Sequence, residues 1–485
     1  MSALPYLPTD LWAILPELFL TQAALGLLIF AAVTKRESEG LVARLSLLSL
    51  GVTLGLLFVS ASMSGTLPRE VFAGMLTLDR FGIFFKVLIL LACAATILFS
   101  LRFVGRSPYP GGEYYGLILF SAVGMLFMVS GTHLVSIYIA LETMALSQYV
   151  LAGYFKRESK SLEAAAKYFV LGAFSSGILL YGLSLVYGAA GTLSLAGVAS
   201  AFASPVRPVF LVVGILLVAC GLLFKVASAP FHVWAPDVYE GAPTPIAAFF
   251  AVGPKLAAYA IFARIFFVGF GPGSGDWTPI LAASAALTMV VGNVGALLQS
   301  NVKRLLGYSS IGHAGYALLG LLAYKTDYGL WAILVYLVAY SLMTLGAFGL
   351  VILLESKGYA GESVDDFNGL ARKNPLLAAA MLVFLLSLTG IPPTAGFIGK
   401  YFLFSAAMKA GWFWLTFLAV LMSAVSLFYY FRIVKAMYFV EGEGELKWRE
   451  EPAVAVAVGL CFVGTLAIGV MPQPLVALAK ACLLP

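Results

Sequence analysis

Charge is what this chain has least of. Only 11% of its 485 residues are Asp, Glu, Lys or Arg, whereas a soluble domain carries about 25%. Cysteine is nearly absent too, with four residues scattered singly at Cys93, Cys220, Cys461 and Cys482. They form no CxxC pair and no iron–sulfur spacing, so they read as small buried residues rather than as ligands of a redox centre. The glycine-rich stretch Gly269–Gly275 lacks a preceding strand, which excludes a phosphate-cradling loop and leaves a connection between helices. No segment has the pattern of a nucleotide, flavin or iron site, so electron transfer by this chain alone is not expected. The formal charge of +6 is the loop excess of a membrane protein, not a nucleic-acid footprint, and no nucleic-acid partner is expected. The apolar run 11–33 has no basic flank before it, only Asp10, and is too long for a signal peptide. It reads as a first, retained span.

What the chain has in abundance is long apolar runs. It is 61% hydrophobic, and its runs reach the ~20 residues needed to cross about 30 Å of hydrocarbon as a helix. The expected fold is an all-α polytopic membrane protein with 14 transmembrane helices, near 11–33, 41–61, 80–104, 114–132, 133–154, 163–187, 207–240, 243–268, 277–299, 303–323, 328–355, 375–408, 410–438 and 452–480. Loops after odd-numbered spans hold most basic residues: Lys35, Arg36, Arg106, Lys156, Arg157, Lys160, Lys303, Arg304, Lys357, Arg372, Lys373, Lys447 and Arg449. Loops after even-numbered spans hold Arg69, Arg207, Lys325 and Lys409. The excess marks the cytoplasmic side, which puts both termini on the other. Tyr114, Tyr115 and Trp277, at span ends, fit an interfacial aromatic belt.

Two spans are too long and too interrupted to be plain helices. The seventh holds Pro230 and Pro236 and the twelfth Pro392 and Pro393. Each proline frees the carbonyl four residues earlier: Val226, His232, Leu388 and Thr389. Unpaired carbonyls at membrane depth need protein or water around them, so each break predicts a polar cavity. Broken helices five apart suggest two inverted five-helix repeats, spans 4–8 and 9–13. The expected division is 1–110 (three N-terminal helices), 111–270 (first repeat), 271–440 (second repeat) and 441–485 (C-terminal helix).

Five ionisable residues lie in or at the edge of apolar runs: Glu142, Lys167, Lys225, Lys255 and Lys400. A charge near the bilayer centre costs roughly 2.5–3.5 kcal/mol on insertion scales, so it persists only where it faces protein or water. Several such lysines with one carboxylate read as a path for charge. Burial favours a neutral amine, and a nearby carboxylate reverses that preference. Glu142 and Lys167 come from adjacent spans, which makes them a candidate switch pair, with a static helix-fixing ion pair as the alternative. Lys225 and Lys400 sit roughly 8–10 Å from their breaks at ~1.5 Å rise per residue. They and Lys255 are the candidate proton carriers, Lys400 toward the far side. His232 and His313 are candidate relays, since histidine titrates near pH 6.5; a plain hydrogen-bonding role is the alternative. His133 reads as surface and Lys86, near the start of the third span, as snorkelling.

The segment from Phe224 to Pro245 (FKVASAPFHVWAPDVYEGAPTP) resembles the seventh-helix signature of the antiporter-like subunits of respiratory complex I. Its VYEG variant is most similar to the N-type branch. The segments Lys303–His313 (KRLLGYSSIGH) and Thr389–Lys400 (TGIPPTAGFIGK) carry the same resemblance, which extends over nearly the whole chain. It implies a fourteen-helix subunit of a proton-pumping membrane arm, with Glu142, Lys167, Lys225, Lys255 and Lys400 at the charged sites of helices five, six, seven, eight and twelve. Lys400, where M-type chains have glutamate, and an end at Pro485 without the lateral helix of L-type chains both favour the N type. The resemblance further implies M- and K-type neighbour subunits and a bacterial inner membrane. NAD, FMN, iron–sulfur clusters and quinone would be carried by partner subunits and no cofactor or metal by this chain. A subunit of a multi-subunit cation/proton antiporter or of an ion-pumping hydrogenase is the alternative, and an inert scaffold a third. Broken helices argue against a scaffold, and lysine carriers favour H⁺ over Na⁺.

Overall fold

The computed structural model of the chain describes residues 9–34, 39–65, 67–105, 111–202, 209–355, 362–442 and 451–484. Seven basic loop residues used above to orient the chain (Lys35, Arg36, Arg106, Arg207, Lys357, Lys447 and Arg449) lie outside these. The described chain is almost wholly helical. In order, the helices are α1 (Asp10–Ala13), α2 (Leu15–Val33), α3 (Glu39–Met63), α4 (Arg80–Gly105), α5 (Gly112–Ser130), α6 (Leu134–Ala152), α7 (Ser159–Ala190), α8 (Leu195–Ala201), α9 (Val209–Lys225) and α10 (Trp234–Gly241). They continue with α11 (Thr244–Arg264), α12 (Ser274–Leu297), α13 (Val302–Leu322), α14 (Asp327–Glu355), α15 (Leu370–Lys373), α16 (Pro375–Thr389), α17 (Ala395–Lys409), α18 (Phe413–Phe439), α19 (Pro452–Val470) and α20 (Gln473–Ala481). Among the described residues, twelve helices are long and apolar enough to cross a membrane.

The predicted ranges are occupied by helices or helix pairs, with informative departures. The seventh is α9 and α10 separated by residues 226–233, and the twelfth is α16 and α17 separated by 390–394. The last range is not one helix, because Pro472 closes α19 and a short α20 follows. The first breaks at Ile14, just before Pro16. Between α3 and α4 lies an antiparallel hairpin, β1 (Arg69–Val71) with β2 (Leu76–Leu78), which the apolar pattern did not foresee. Gly269–Gly275 is not an open loop: a π-helical turn, Ile265–Gly269, and a 3-10 turn, Gly271–Gly273, lead straight into α12.

Burial ranks the helices by position. All of α11 is buried, as is nearly all of α13, so these two form the bundle axis with α14 beside them. The outer helices keep an apolar exposed face, such as Phe169, Val170 and Phe174 on α7 and Phe417, Phe428 and Phe431 on α18. In lipid such faces cost nothing, so helices associate through close packing and internal polar contacts. Gly292 shows the first of these. A Cβ there would lie 2.2 Å from the Gly312 amide nitrogen, so only glycine lets α12 press its backbone onto α13. Tyr114, Tyr115 and Trp277 belong to this interior and not to an aromatic belt. They are fully buried, with Ser100 paired to Tyr114 at 2.9 Å and Trp277 Nε1 donating to Phe270 O at 2.9 Å. A ring with a polar tip suits a buried site once that tip is paired.

Candidate functional site

The site is built around the two interruptions and the axial helices between them. At the first, α9 ends at Lys225 and the chain unwinds. Helix α12 supplies the missing hydrogen bonds: Ser284 Oγ donates to Ala229 O at 2.7 Å and Thr288 Oγ1 accepts from Ala229 N at 2.9 Å. Ser228 joins both hydroxyls, at 3.0 Å from Ser284 and 2.5 Å from Thr288. Trp234 Nε1 spans the gap to Phe224 O at 3.2 Å. The carbonyl of His232 is not left free as expected, because the Ala235 amide takes it at 2.8 Å. Lys225 itself is 6% exposed, and its Nζ has no hydrogen-bond partner among the described residues. It stands 5.8 Å from the ring centres of Tyr149 and Phe224.

At the second interruption the lysine performs the satisfying. Lys400 Nζ donates to the two carbonyls that Pro392 and Pro393 free, Leu388 O and Thr389 O, at 2.9 Å each, and to Ser423 Oγ at 2.8 Å. Gly396 is obligatory here, since a Cβ would lie 1.7 Å from Ser387 O. Lys400 also sits 4.8 Å above the Tyr316 ring.

Helix α13 joins the two regions. Ser310, His313 and Tyr316 recur three apart and so share one face. Lys255 Nζ on α11 donates to Ser310 O and Oγ, at 2.7 and 2.5 Å. Ser310 Oγ pairs with Tyr340 at 2.7 Å and Tyr239 at 3.3 Å. His313 Nδ1 pairs with Tyr336 at 2.7 Å, and Nε2 faces Tyr430 at 3.4 Å. Tyr316 accepts from Asn293 at 3.1 Å, and Tyr429 donates to Asn293 at 3.1 Å. Lys255, His313 and Lys400 are thus buried in one hydroxyl-rich layer.

The other candidate residues fall differently. Glu142, half-buried on α6, does not meet Lys167; it accepts from Ser176 on α7 at 2.5 Å, and its charge reaches Lys225 and Tyr149. Lys167 lies nearer the N-terminal end of α7, where it pairs with Asp237 at 2.5 Å and Glu163 at 2.6 Å. Nine residues separate Lys167 from Ser176, so the two carry their carboxylates roughly 13 Å apart along α7. Arg304 completes this second cluster, donating to Asp237 at 2.5 Å and Glu240 at 3.1 Å, while Lys160 reaches Glu240 at 3.0 Å. A polar cavity of about 330 Å³, lined among others by Glu158, Lys160, Glu240, Lys303 and Glu362, opens beside it. His232 is half-buried at the first break, and its Nδ1 has no hydrogen-bond partner among the described residues. His133 is a half-buried N-cap of α6 rather than a surface residue.

Two buried ion pairs were not legible in the sequence. Lys86 does not snorkel; it pairs with Glu17 of α2, and both are at most 2% exposed. Arg264 at the end of α11 grips Asp79, its two nitrogens at 2.7 and 3.0 Å, and also donates to Val129 O at 3.0 Å. Glu17 lies inside the first apolar run and Asp79 just before the third, and each pairs with a residue distant in sequence, which no local pattern indicates. The described residues hold no cluster of metal-ligating side chains.

A helical bundle with two interrupted helices, each edged by a buried lysine, defines a class of ion-conducting membrane proteins. The chain belongs to the family described as NADH:quinone oxidoreductase/Mrp antiporter, transmembrane, which matches residues 131–426. It is 44% identical to NADH-quinone oxidoreductase subunit N of Trichlorobacter lovleyi, over 97% of this chain and 96% of that one. Among solved structures, a chain of respiratory complex I from Thermus thermophilus matches with a TM-score of 0.81 at 35% identity, covering 96% of this chain and 99% of that one. A chain of the membrane-bound sulfane sulfur reductase, an archaeal respiratory membrane complex, matches at 0.86 and 27%, covering 97% and 96%.

Proposed function

We propose that this chain is the N-type antiporter-like subunit of a proton-translocating NADH:quinone oxidoreductase, moving protons while electrons pass from NADH to quinone in other subunits. The observation that carries the proton path is Lys225. It is buried at a helix break with no hydrogen-bond partner among the described residues, so of the three candidate carriers it alone exchanges a proton without first breaking a hydrogen bond. Glu142 is the carboxylate whose field it feels. From Lys225 the proton passes to Lys255, then through Ser310 and the His313–tyrosine layer to Lys400, which releases it to the far side. Water supplies the links between these groups. His232, at the break, is a relay to the same path, and Lys167 serves it from the cytoplasmic end of α7.

Fourteen crossings, with α9/α10 and α16/α17 each counted as one broken span, repeats at 111–270 and 271–440 between an N-terminal unit, 1–110, and a last helix after 441, and both termini on the non-cytoplasmic side complete the reading. The N-type relative at 44% identity supports it over a cation/proton antiporter or hydrogenase subunit. M- and K-type subunits are its neighbours in a bacterial inner membrane, and NAD, FMN, iron–sulfur clusters and quinone lie in partner subunits. Lys225→Met in the assembled complex reconstituted into vesicles tests the path. NADH oxidation should persist while protons moved per NADH fall; an unchanged proton yield would overturn it.

A further inference from the structure

Helix α10, the second half of the first broken helix, has only eight residues. A helix that short does not hold itself in water or at a polar membrane cavity, so its position is imposed by tertiary contacts. Those contacts come in two groups. At its start, Trp234 is 3% exposed and stacks on Tyr168 of α7, with ring centres 4.4 Å apart and 11° between planes. One and two turns further on, Asp237 and Glu240 face the cations of α7 and α13.

The ion group is built for exchange rather than for permanence. Asp237 is shared by Lys167 and Arg304, both at 2.5 Å. Lys167 has Glu163 as a second acceptor one turn back on its own helix, at 2.6 Å. Lys167 can therefore leave Asp237 without stranding either charge, since Asp237 keeps Arg304 and Lys167 keeps Glu163. Breaking an ion pair is normally costly when one charge is left alone away from water; here that cost is avoided. The side chains are also 24–40% exposed, so water screens each pair to a modest strength. The cluster holds α10 in place, yet the hold is weak enough to be released.

We propose that Asp237, through Lys167 and Arg304, latches α10 against α7 and α13 and so sets water access to Lys225 at the other side of the break. Asp237 is a positioning residue, since it acts on the proton path only through the placement of α10. The inference rests on Lys225 being a proton carrier, as proposed above. Lys167 accordingly belongs to the latch and contacts Asp237 rather than Glu142.

Hydrogen–deuterium exchange on the purified, assembled complex tests it, with residues 390–394 at the second break as the internal reference. In Asp237→Asn, exchange across 234–241 should accelerate about tenfold while 390–394 stays at the wild-type rate. Protons moved per NADH should fall with NADH oxidation retained, and Asp237→Glu should restore both readouts. Where Asp237→Asn fails to assemble, Lys167→Met, which leaves Arg304 in place, should give the same local acceleration at smaller amplitude. Unchanged exchange across 234–241, equal acceleration at 390–394, or no rescue by glutamate would overturn the latch. Local acceleration together with normal pumping by Lys225→Met would keep the latch and discard Lys225 as carrier.

Discussion

The two broken helices answer one problem in opposite ways. Prolines free backbone groups inside the bundle at both 226–233 and 390–394, and each break has a lysine at its edge. At the first, a neighbouring helix repairs the backbone through Ser284 and Thr288, and Lys225 has no hydrogen-bond partner among the described residues. At the second, Lys400 repairs the backbone itself through Leu388 and Thr389. The same residue type is thus a free group in one place and a structural one in the other. Removing each should therefore have different consequences, and the contrast can be tested by substitution.

The largest effect is expected from Gly396→Ala, because its methyl would overlap Ser387 O and the second break would have to shift, costing about 3 kcal/mol or more. Thermal unfolding of the detergent-solubilised complex, followed with a thiol dye that reports exposure of buried Cys93 and Cys461, measures this. By the same assay Lys400→Met should cost about 2–3 kcal/mol, since Leu388 O loses its donor and Thr389 O keeps only Ser423. Thr288→Val should cost about 1–2 kcal/mol by orphaning the Ala229 amide. Lys225→Met should be the mildest, within about 1 kcal/mol of wild type and on the stabilising side, because a buried amine with no hydrogen-bond partner among the described residues is exchanged for an apolar chain. Equal losses for the two lysine variants would erase the distinction between the breaks.

Much of this was legible in the sequence because it follows from covalent rules. Proline removes an N–H whatever surrounds it, so Leu388 and Thr389 could be named as freed carbonyls and Lys400 placed within reach. Apolar run length sets helix extent, and the lysines inside runs were visible as misplaced charge. The failures share a different cause. Glu142 was paired with Lys167 because their helices are adjacent, but adjacency does not say which turn of α7 faces α6; the turn that does so presents Ser176. Asp237 and Arg304 lay inside quoted motifs, yet their role needs α10 and α13 side by side. Lys86 looked like a snorkeller because Glu17 is 69 residues away in sequence and adjacent only in the bundle. Tyr114, Tyr115 and Trp277 lie at span ends, where a belt is the usual reading, but neighbouring helices cover them.

By itself, then, the sequence determined that the chain is a helical membrane protein, where its helices run and break, and which groups are out of place in hydrocarbon. Those are local properties, set by side-chain polarity and by the backbone geometry of proline and glycine. Only the tertiary structure decided which misplaced charge has a hydrogen-bond partner and which has none among the described residues, because a partner is a matter of distance between helices. That difference separates Lys225 from Lys400.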